Sequence, residues 1–427
     1  MYYRLKPHCA LVEGAVRGAI YDFQSGKVFS INKGAVEMLK ACQGNPLEDF
    51  MDINAPDTKP YIAFLDDLTR KELGVFYAID PGETPPLPKA ETEVKLSFLW
   101  LELTSCCNNR CLHCYATSGP TVNNDCVPHD RWLSLISEAR EAGATAIQLI
   151  GGEPLLYTKW RELAIKAHED EYEFIEIFSN ATLIDDDCVN FFKQYNIHVA
   201  TTIYADNATT HDKITLNQGS FERTMDAVKK IIAAGVDLRI ASIIMKDNED
   251  EAEKIVKLCQ DLGVQGAYPD VVRPTGRGDD LDLLPNKYHK PPIRPPFYTD
   301  MQSFLINKEY NNCLMGKIAI TSNGDVIPCI FARDQIAGSI LNQPLKEVLT
   351  NESLQSCWCA TKDAVEKCKD CEYRYACGDC RPLAQGSDPD KRWRAPSPQC
   401  DYNPYLGKWA EKEPEDIEDT KITKKLP

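Results

Sequence analysis

Hydrophobic and polar positions change their period along the chain, and the changes divide it. Over the first 80 residues the pattern is short-ranged. Residues 10–12, 19–23 and 28–31 are brief apolar runs of strand character, with Ser25-Gly26 marking a turn between the last two. Asn32 is placed to cap a helix running to about Cys42, with Ala35, Met38 and Leu39 on its apolar face. Residues 46–51 suggest a second short helix. Ile62, Leu65 and Leu68 repeat at helical spacing within 61–73, Gly74 ends that helix, and 75–79 returns as a strand.

From 95 to 285 strand-like and helical periods alternate. Strands are expected at 96–103, 146–150, 174–179, 198–203, 238–244 and 266–271. Helices are expected at 131–142, 160–169, 186–195, 221–234 and 249–262, three of them followed by Gly143, Gly235 and Gly263 where a left-handed cap is wanted. Phe221, Met225, Val228 and Ile232 form one stripe that faces a sheet. This alternation predicts an α/β protein with a parallel sheet and right-handed crossovers. Six units make a partial (β/α)6 barrel, whose ligands gather at the C-terminal strand ends.

Proline-rich segments at 80–89 and 285–296 punctuate the pattern. The expected division is therefore a module at 1–80, a linker at 81–94, the barrel at 95–285, a connector at 286–309 and a cysteine-rich domain at 310–403. The charged residues 404–427 read as a flexible tail.

Composition narrows the possibilities. With 427 residues, 43% hydrophobic and 26% charged, the chain is ordinary for a globular protein of more than one domain. Its net charge of −16 argues against nucleic-acid binding. No apolar run reaches the ~18 residues of a membrane span, and the first residues lack a signal-peptide core. The expectation is a cytoplasmic protein. There, 18 cysteines read as reduced metal ligands rather than disulfides. Cys9, Cys42, Cys126, Cys188 and Cys259 fall in predicted elements and read as small core residues.

Cys107, Cys111 and Cys114 follow the first barrel strand with CxxxCxxC spacing, and Tyr115 comes next. Three thiolates can hold three corners of an iron–sulfur cubane and leave the fourth iron open. Zinc prefers four ligands in paired CxxC spacings. The motif resembles that of the radical S-adenosylmethionine enzymes. The resemblance implies that the open iron binds S-adenosylmethionine, which is cleaved to a 5′-deoxyadenosyl radical. Gly151-Gly152-Glu153-Pro154, after the second strand, is similar to the family's cofactor-binding motif. It implies backbone and the Glu153 carboxylate meeting the cofactor ammonium. Asn180 after the third strand, Thr202 ending the fourth and Arg239 on the fifth are the other implied cofactor contacts. Ala181 departs from the glycine that usually follows the asparagine. Thr202 is equally readable as a structural strand residue, and Arg239 as the partner of a barrel acid. Gly276-Arg277-Gly278 resembles a loop common in the family, with no role legible from sequence.

In the last third, Asn323-Gly324 between alternating apolar residues signals a hairpin ending at Cys329. The order of Cys313, Cys329, Cys368-x2-Cys371-x5-Cys377-x2-Cys380 and Cys400 resembles the SPASM extension of the same enzymes. Taken alone, the CxxC pairs also read as zinc ligands. The resemblance implies two auxiliary 4Fe–4S clusters, three clusters in all. One would be held by Cys368, Cys371, Cys377 and Cys400, the other by Cys313, Cys329 and Cys380. Cys357 and Cys359 are candidates for the missing ligand, or that position is open.

The N-terminal module looks like a winged helix-turn-helix-like peptide-recognition element, similar to the pyrroloquinoline-quinone peptide chaperone. There a leader peptide adds a strand to a sheet edge. Packing over the barrel is the plainer alternative. Residues 9–23 also look like the start of grasp-with-SPASM maturases and cyanobacterial peptide spliceases. The combined expectation is an enzyme that matures a ribosomally made precursor peptide, by tyramine excision to an α-keto-β-amino acid or by crosslinking. Its partners would be that peptide and an external reductant such as flavodoxin or ferredoxin, with room for a separate peptide-recognition protein. A sulfatase- or quinohaemoprotein-type activase and a non-catalytic electron carrier are the other readings. No side chain stands out as a catalytic acid or base.

Overall fold

The computed structural model describes residues 1–410 except 84, 90–93, 265–268, 289–292 and 379. The chain opens with β1 (Tyr2–Leu5), then an antiparallel sheet of β2 (Cys9–Glu13), β3 (Arg17–Asp22) and β4 (Val28–Asn32). The helices α1 (Lys33–Ala41) and α2 (Lys59–Arg70) follow, and β5 (Gly74–Tyr77) returns to pair with β1. Asn32 caps α1 as its sequence suggests, its side chain accepting from Ala35 N at 2.9 Å, a contact worth about 1 kcal/mol. β1 was not legible, because Tyr-Tyr-Arg-Leu has no alternation and its partner lies some seventy residues on.

Strand alternation sends two apolar faces in opposite directions. Cys9, Ile20 and Ile31 pack under α1 and α2 with Val36, Leu39, Leu65 and Leu68. Ala10, Val12, Ala19 and Tyr21 pack on Phe304, Leu305 and Tyr375 from the far end of the chain. The module is thereby seated on the cysteine-rich domain. Tyr21 donates to Glu372 O at 2.8 Å, and Arg374 Nη1 to Glu13 O at 2.8 Å.

The barrel strands are β6 (Phe98–Glu102), β7 (Ala146–Ile150), β8 (Phe174–Phe178), β9 (His198–Thr202) and β10 (Leu238–Ala241), all parallel and in spatial order. The expected fifth strand breaks at Ser242. Its remainder, β11 (Ile243–Ile244), pairs with β12 (Asp270–Val271). β12 is the end of the expected sixth strand, whose first part lies outside the described residues. The helices α3 (His129–Glu141), α4 (Trp160–Glu169), α5 (Asp186–Gln194), α7 (Ser220–Ala234) and α8 (Ala252–Asp261) match the predicted ones within a turn.

Between α5 and α7 lies α6 (Ala208–Thr215), capped by Asn207. Its sequence, Ala-Thr-Thr-His-Asp-Lys-Ile-Thr, carries no apolar stripe, so periodicity missed it. α9 (Met301–Glu309) occupies part of the expected connector, with Met301, Phe304 and Leu305 on its packed face. Cys126 is exposed rather than in the core.

The cysteine-rich domain begins by extending the barrel sheet. β13 (Lys317–Ile320) lies parallel to β6, with Ile318 opposite Leu99. Then β14 (Asp325–Ile327) and β15 (Gly338–Ser339) complete an eight-stranded sheet. The partial barrel and the cluster domain therefore share one continuous sheet. The expected tail is ordered at its start: Tyr402–Asn403 pairs with Lys408–Trp409, and Trp409 stacks near Tyr402 at 4.6 Å. Residues 411–427 lie outside the described ones. Among the described residues no helix is long and apolar enough to cross a membrane.

Candidate active site and cluster sites

Cys107, Cys111 and Cys114 occupy the loop after β6, at the C-terminal end of the sheet. The loop is short and irregular, and other elements tie it down. Asp125 accepts from Thr104 Oγ1 at 2.6 Å and Ser105 N at 2.7 Å. The end of α6 receives Arg110 N and Leu112 N through Thr215 O and Ile214 O. Gly276-Arg277-Gly278 closes over the other side. Arg277 Nε donates to Cys111 O at 2.9 Å, its Nη2 to Ser118 O at 2.8 Å, and its backbone N to Cys114 O at 3.0 Å. Gly276 is at φ +60°, and a Cβ there would meet Tyr115 O at 2.3 Å. Close approach is the physical role of this loop, which sequence had left without one.

The thiols themselves meet neutral donors. Cys107 Sγ accepts from Asn109 N at 3.4 Å and faces Asn180 Nδ2 at 3.7 Å. The Tyr204 hydroxyl hydrogen-bonds the Cys111 thiol. Burial, and then the neighbouring thiol of Cys114, pushes Cys111 up to about 12; burial and Glu153 push Cys107 up as well. Three soft thiols on one loop at a strand end suit a cationic metal cluster. Burial, followed by the charge of Arg277, lowers His113 to about 4, so that its ring is neutral beside Tyr204.

Glu153 has several partners within the chain. It is fully buried. Its Oε1 accepts from Ser179 Oγ at 2.7 Å and Leu155 N at 3.1 Å, and its Oε2 from Asn180 N at 2.8 Å. The carboxylate ties the β7 loop to the β8 loop instead of facing open space, and burial raises it to about 7. The glycines before it let backbones meet: a Cβ on Gly152 would lie 2.2 Å from Cys106 O, and Gly151 sits at φ +146°. Pro154 opens the short turn that follows.

Asn180 lies against the cysteine loop, donating to Asn108 Oδ1 at 2.8 Å. Ala181 keeps a glycine-like backbone, φ +63°, at a cost of about 1–2 kcal/mol. Thr202 stands in register with Ala241. Of the two readings of Arg239, the structure takes the acid pairing: Nη2 reaches Glu176 Oε1 at 2.9 Å and Nε reaches Oε2 at 3.2 Å.

In the cluster domain, Cys368, Cys371, Cys377 and Cys400 line one small cavity, together with Phe297, Tyr373 and Trp409. Four thiols of this kind are the donor set of a cubane cluster. Cys329 feels the charges of Cys313 and Cys380, and Arg273 Nη1 donates to Cys380 Sγ at 3.4 Å. Cys357 is not a member of this group. Its thiol is buried in the apolar core and meets Gln335 Oε1 at 3.9 Å. An apolar run around Trp358 carries it inward, which spacing could not reveal. Cys359 is exposed, on the side of Tyr310.

Sequence also passed over the residues between the two cysteine groups. Glu102, at the end of β6, is buried and pairs with Arg333 Nη1 at 2.5 Å. Arg333 lies 5.9 Å over the Tyr115 ring, which meets Phe331 edge-on at 5.1 Å. Burial raises Glu102 against the pull of Arg333. The one signal was an acid at an inward strand end, unusual for a core position.

Two family models match the chain: the radical SAM superfamily over residues 101–259 and an iron–sulfur cluster-binding domain, SPASM, over 313–372. An AdoMet-dependent heme synthase of Methanosarcina barkeri is 27% identical over 340 residues, 71% of this chain and 95% of that protein. The sporulation killing factor maturation protein SkfB of Bacillus subtilis is 30% identical over 165 residues, 38% of this chain and 39% of that protein. Among solved structures, Streptococcus suis SuiB with bound S-adenosylmethionine covers 92% of this chain and 98% of its own, at TM-score 0.56 and 16% identity. SuiB bound to its precursor peptide SuiA gives TM-score 0.55 at 15% identity, again over 92% of this chain and 98% of its own. At such identities the likeness is one of fold.

Proposed function

We propose, for a chain that belongs to the radical SAM superfamily and carries a SPASM iron–sulfur domain, that it is an enzyme maturing a ribosomally made precursor peptide. The observation that carries this is the N-terminal module. The fold follows a protein solved with a precursor peptide over 92% of the chain, an extent that takes in at least part of this module. Within its three-stranded sheet β2 has a ladder partner on one side only, among the described residues. An extended leader peptide can add there as a further strand.

S-adenosylmethionine and 4Fe–4S clusters, when bound, supply a 5′-deoxyadenosyl radical and electron transfer. The chain's own residues hold and orient them. Cys107, Cys111 and Cys114 are the ligands of the open cluster. Asn180 and Tyr204 donate to its thiolates, which steadies the more reduced state. Arg277 clamps the ligand loop from above. Gly151 and Gly152 bring backbone close to the cofactor, and Glu153 locks that approach by tying two loops together. Arg333 and Glu102 close the route between the open cluster and the group on Cys313, Cys329 and Cys380. An external reductant such as flavodoxin or ferredoxin supplies electrons.

The product is a spliced peptide, lacking a tyramine unit, or a crosslinked one. The test is anaerobic: reconstituted protein, S-adenosylmethionine, dithionite and the peptide encoded beside its gene, followed for 5′-deoxyadenosine and peptide mass. Nucleoside with a loss of about 135 Da marks splicing, and with about two hydrogens a crosslink, since the cofactor does the bond chemistry. Nucleoside formation without any peptide bound or altered, across every neighbouring small open reading frame, would sink the reading. A second reading is action on a small molecule, favoured by the heme synthase likeness over 71% of the chain. A porphyrin precursor consumed in the same assay would select it.

A further inference from the structure

Away from the cysteine groups, His8, Cys9 and Asp22 meet in the N-terminal module. One donor atom of each lies within 4.8 Å of the other two. The sheet itself makes this arrangement. Cys9 opens β2 and stands directly opposite Asp22, which closes β3, and residues paired in this way turn their side chains to one face. His8 comes just before Cys9, and its carbonyl accepts from Phe23 N at 2.9 Å, so the ladder holds the histidine as well. His8 Nε2 lies 3.6 Å from Asp22 Oδ1.

The three side chains differ in exposure. Cys9 is buried and Asp22 is 7% exposed, while His8 is partly exposed and gives the group its access to solvent. A carboxylate and a thiolate side by side out of water disfavour each other. Burial, and then Asp22, push the Cys9 thiol up to about 12. The Lys6 ammonium also acts on Cys9, but it is paired with Glu72 at 3.1 Å. Asp22 is held in place by neutral donors, Gln24 N at 3.0 Å and the Ser25 hydroxyl. One such bond to each oxygen leaves lone pairs free on both. A cation among the three donors would relieve the pairing of buried carboxylate and thiol.

We propose that His8, Cys9 and Asp22 bind a zinc ion, with water in the fourth position. Imidazole nitrogen, thiolate and carboxylate oxygen are the donors zinc takes, at bonds of roughly 2.0–2.3 Å, which set them roughly 3.4–3.6 Å apart in a tetrahedron. The His8–Asp22 separation of 3.6 Å already lies in that range; the others, within 4.8 Å, require the side chains to close on the ion. Magnesium and calcium prefer oxygen donors, and an iron–sulfur cluster takes more than one thiolate. Binding converts the Cys9 thiol to the thiolate and releases its proton to solvent. The ion staples the start of β2 to the end of β3. The turn that follows meets the chain again, with Thr299 N donating to Gly26 O at 2.8 Å. The proposal depends neither on the cluster ligands nor on the peptide substrate.

The test uses the full chain with its clusters reconstituted, equilibrated anaerobically with zinc sulfate and then desalted. Zinc and iron are counted, and X-ray absorption at the zinc edge reads the ligands without interference from iron. The parent chain is expected to keep one zinc, with a single sulfur neighbour and the rest nitrogen or oxygen. His8→Ala, Cys9→Ser and Asp22→Asn are each expected to lose that zinc with iron content unchanged. Asp22→Asn keeps an acceptor for Gln24 N, so its loss of zinc reports the carboxylate rather than the turn. A parent chain that retains no zinc overturns the proposal. So does zinc with several sulfur neighbours, which places it among the cluster cysteines, or zinc that stays in His8→Ala and Asp22→Asn. Should a variant fail to fold, the parent's zinc spectrum decides by itself.

Discussion

The loop bearing Cys107, Cys111 and Cys114 and the cavity bearing Cys368, Cys371, Cys377 and Cys400 gather thiols by opposite means. In the first, a single short stretch supplies every thiol, and the rest of the chain is spent on holding that stretch still. Its thiols meet the neutral donors Asn180 and Tyr204, while the Arg277 cation holds the loop backbone. In the second, the thiols come from segments some thirty residues apart, and the wall carries cations. On the proposed function, the difference fits two tasks. An open cluster must leave one side to a small ligand, so its thiols sit on one loop at the rim of a sheet. An enclosed cluster needs ligands all round, so its site is assembled from several segments.

The sharpest way to break this comparison is to remove one thiol from each site. Cys111→Ala is expected to abolish 5′-deoxyadenosine formation while leaving the electron paramagnetic resonance signal of the enclosed site. Cys400→Ala is expected to retain nucleoside formation and lose the peptide product. Equal loss of nucleoside in both variants would mean that the two sites do not divide the work.

Next in size is the clamp. Arg277 holds two carbonyls of the cysteine loop with one planar fork, a geometry lysine does not reproduce. Arg277→Lys is expected to cost about 10–100-fold in cluster retention or nucleoside rate, as partners of metal ligands commonly do. Iron analysis and initial rates check this. Unchanged values would reduce the loop to packing.

The smallest effect concerns Glu153. Burial raises its carboxyl from 4.5 to about 7 in the folded protein. A raised carboxyl contributes stability that is fully present below its unfolded value and is lost as pH rises through the folded one. The native chain should therefore lose stability between pH 4.5 and about 7 through this group. Glu153→Gln, which cannot ionise, should flatten that part of the profile. Urea unfolding of both proteins across the interval reads it as a difference. Parallel profiles would show that Glu153 stays charged, supported by Ser179, Leu155 and Asn180.

By itself the sequence determined the local elements and the chemistry-bearing residue types. The strand and helix periods of the barrel, the cap at Asn32 and the hairpin at Asn323-Gly324 are short-range consequences of neighbouring residues, and they stand in the structure. The cysteine triplet was legible for the same reason: its members share one loop. Helix α6, which has no apolar stripe, was not legible, because tertiary support replaces periodicity there.

Only the tertiary structure decided what lies beside what. It laid β13 on the open edge of the barrel sheet, sent Cys357 into the core, turned Arg239 toward Glu176 and Glu153 toward two loops. It brought Arg277 over the cysteine loop and Lys362 and Lys367 to the cavity wall. Such placements depend on chain segments far apart in sequence, and burial and hydrogen bonding between them are settled only once the sheets have packed.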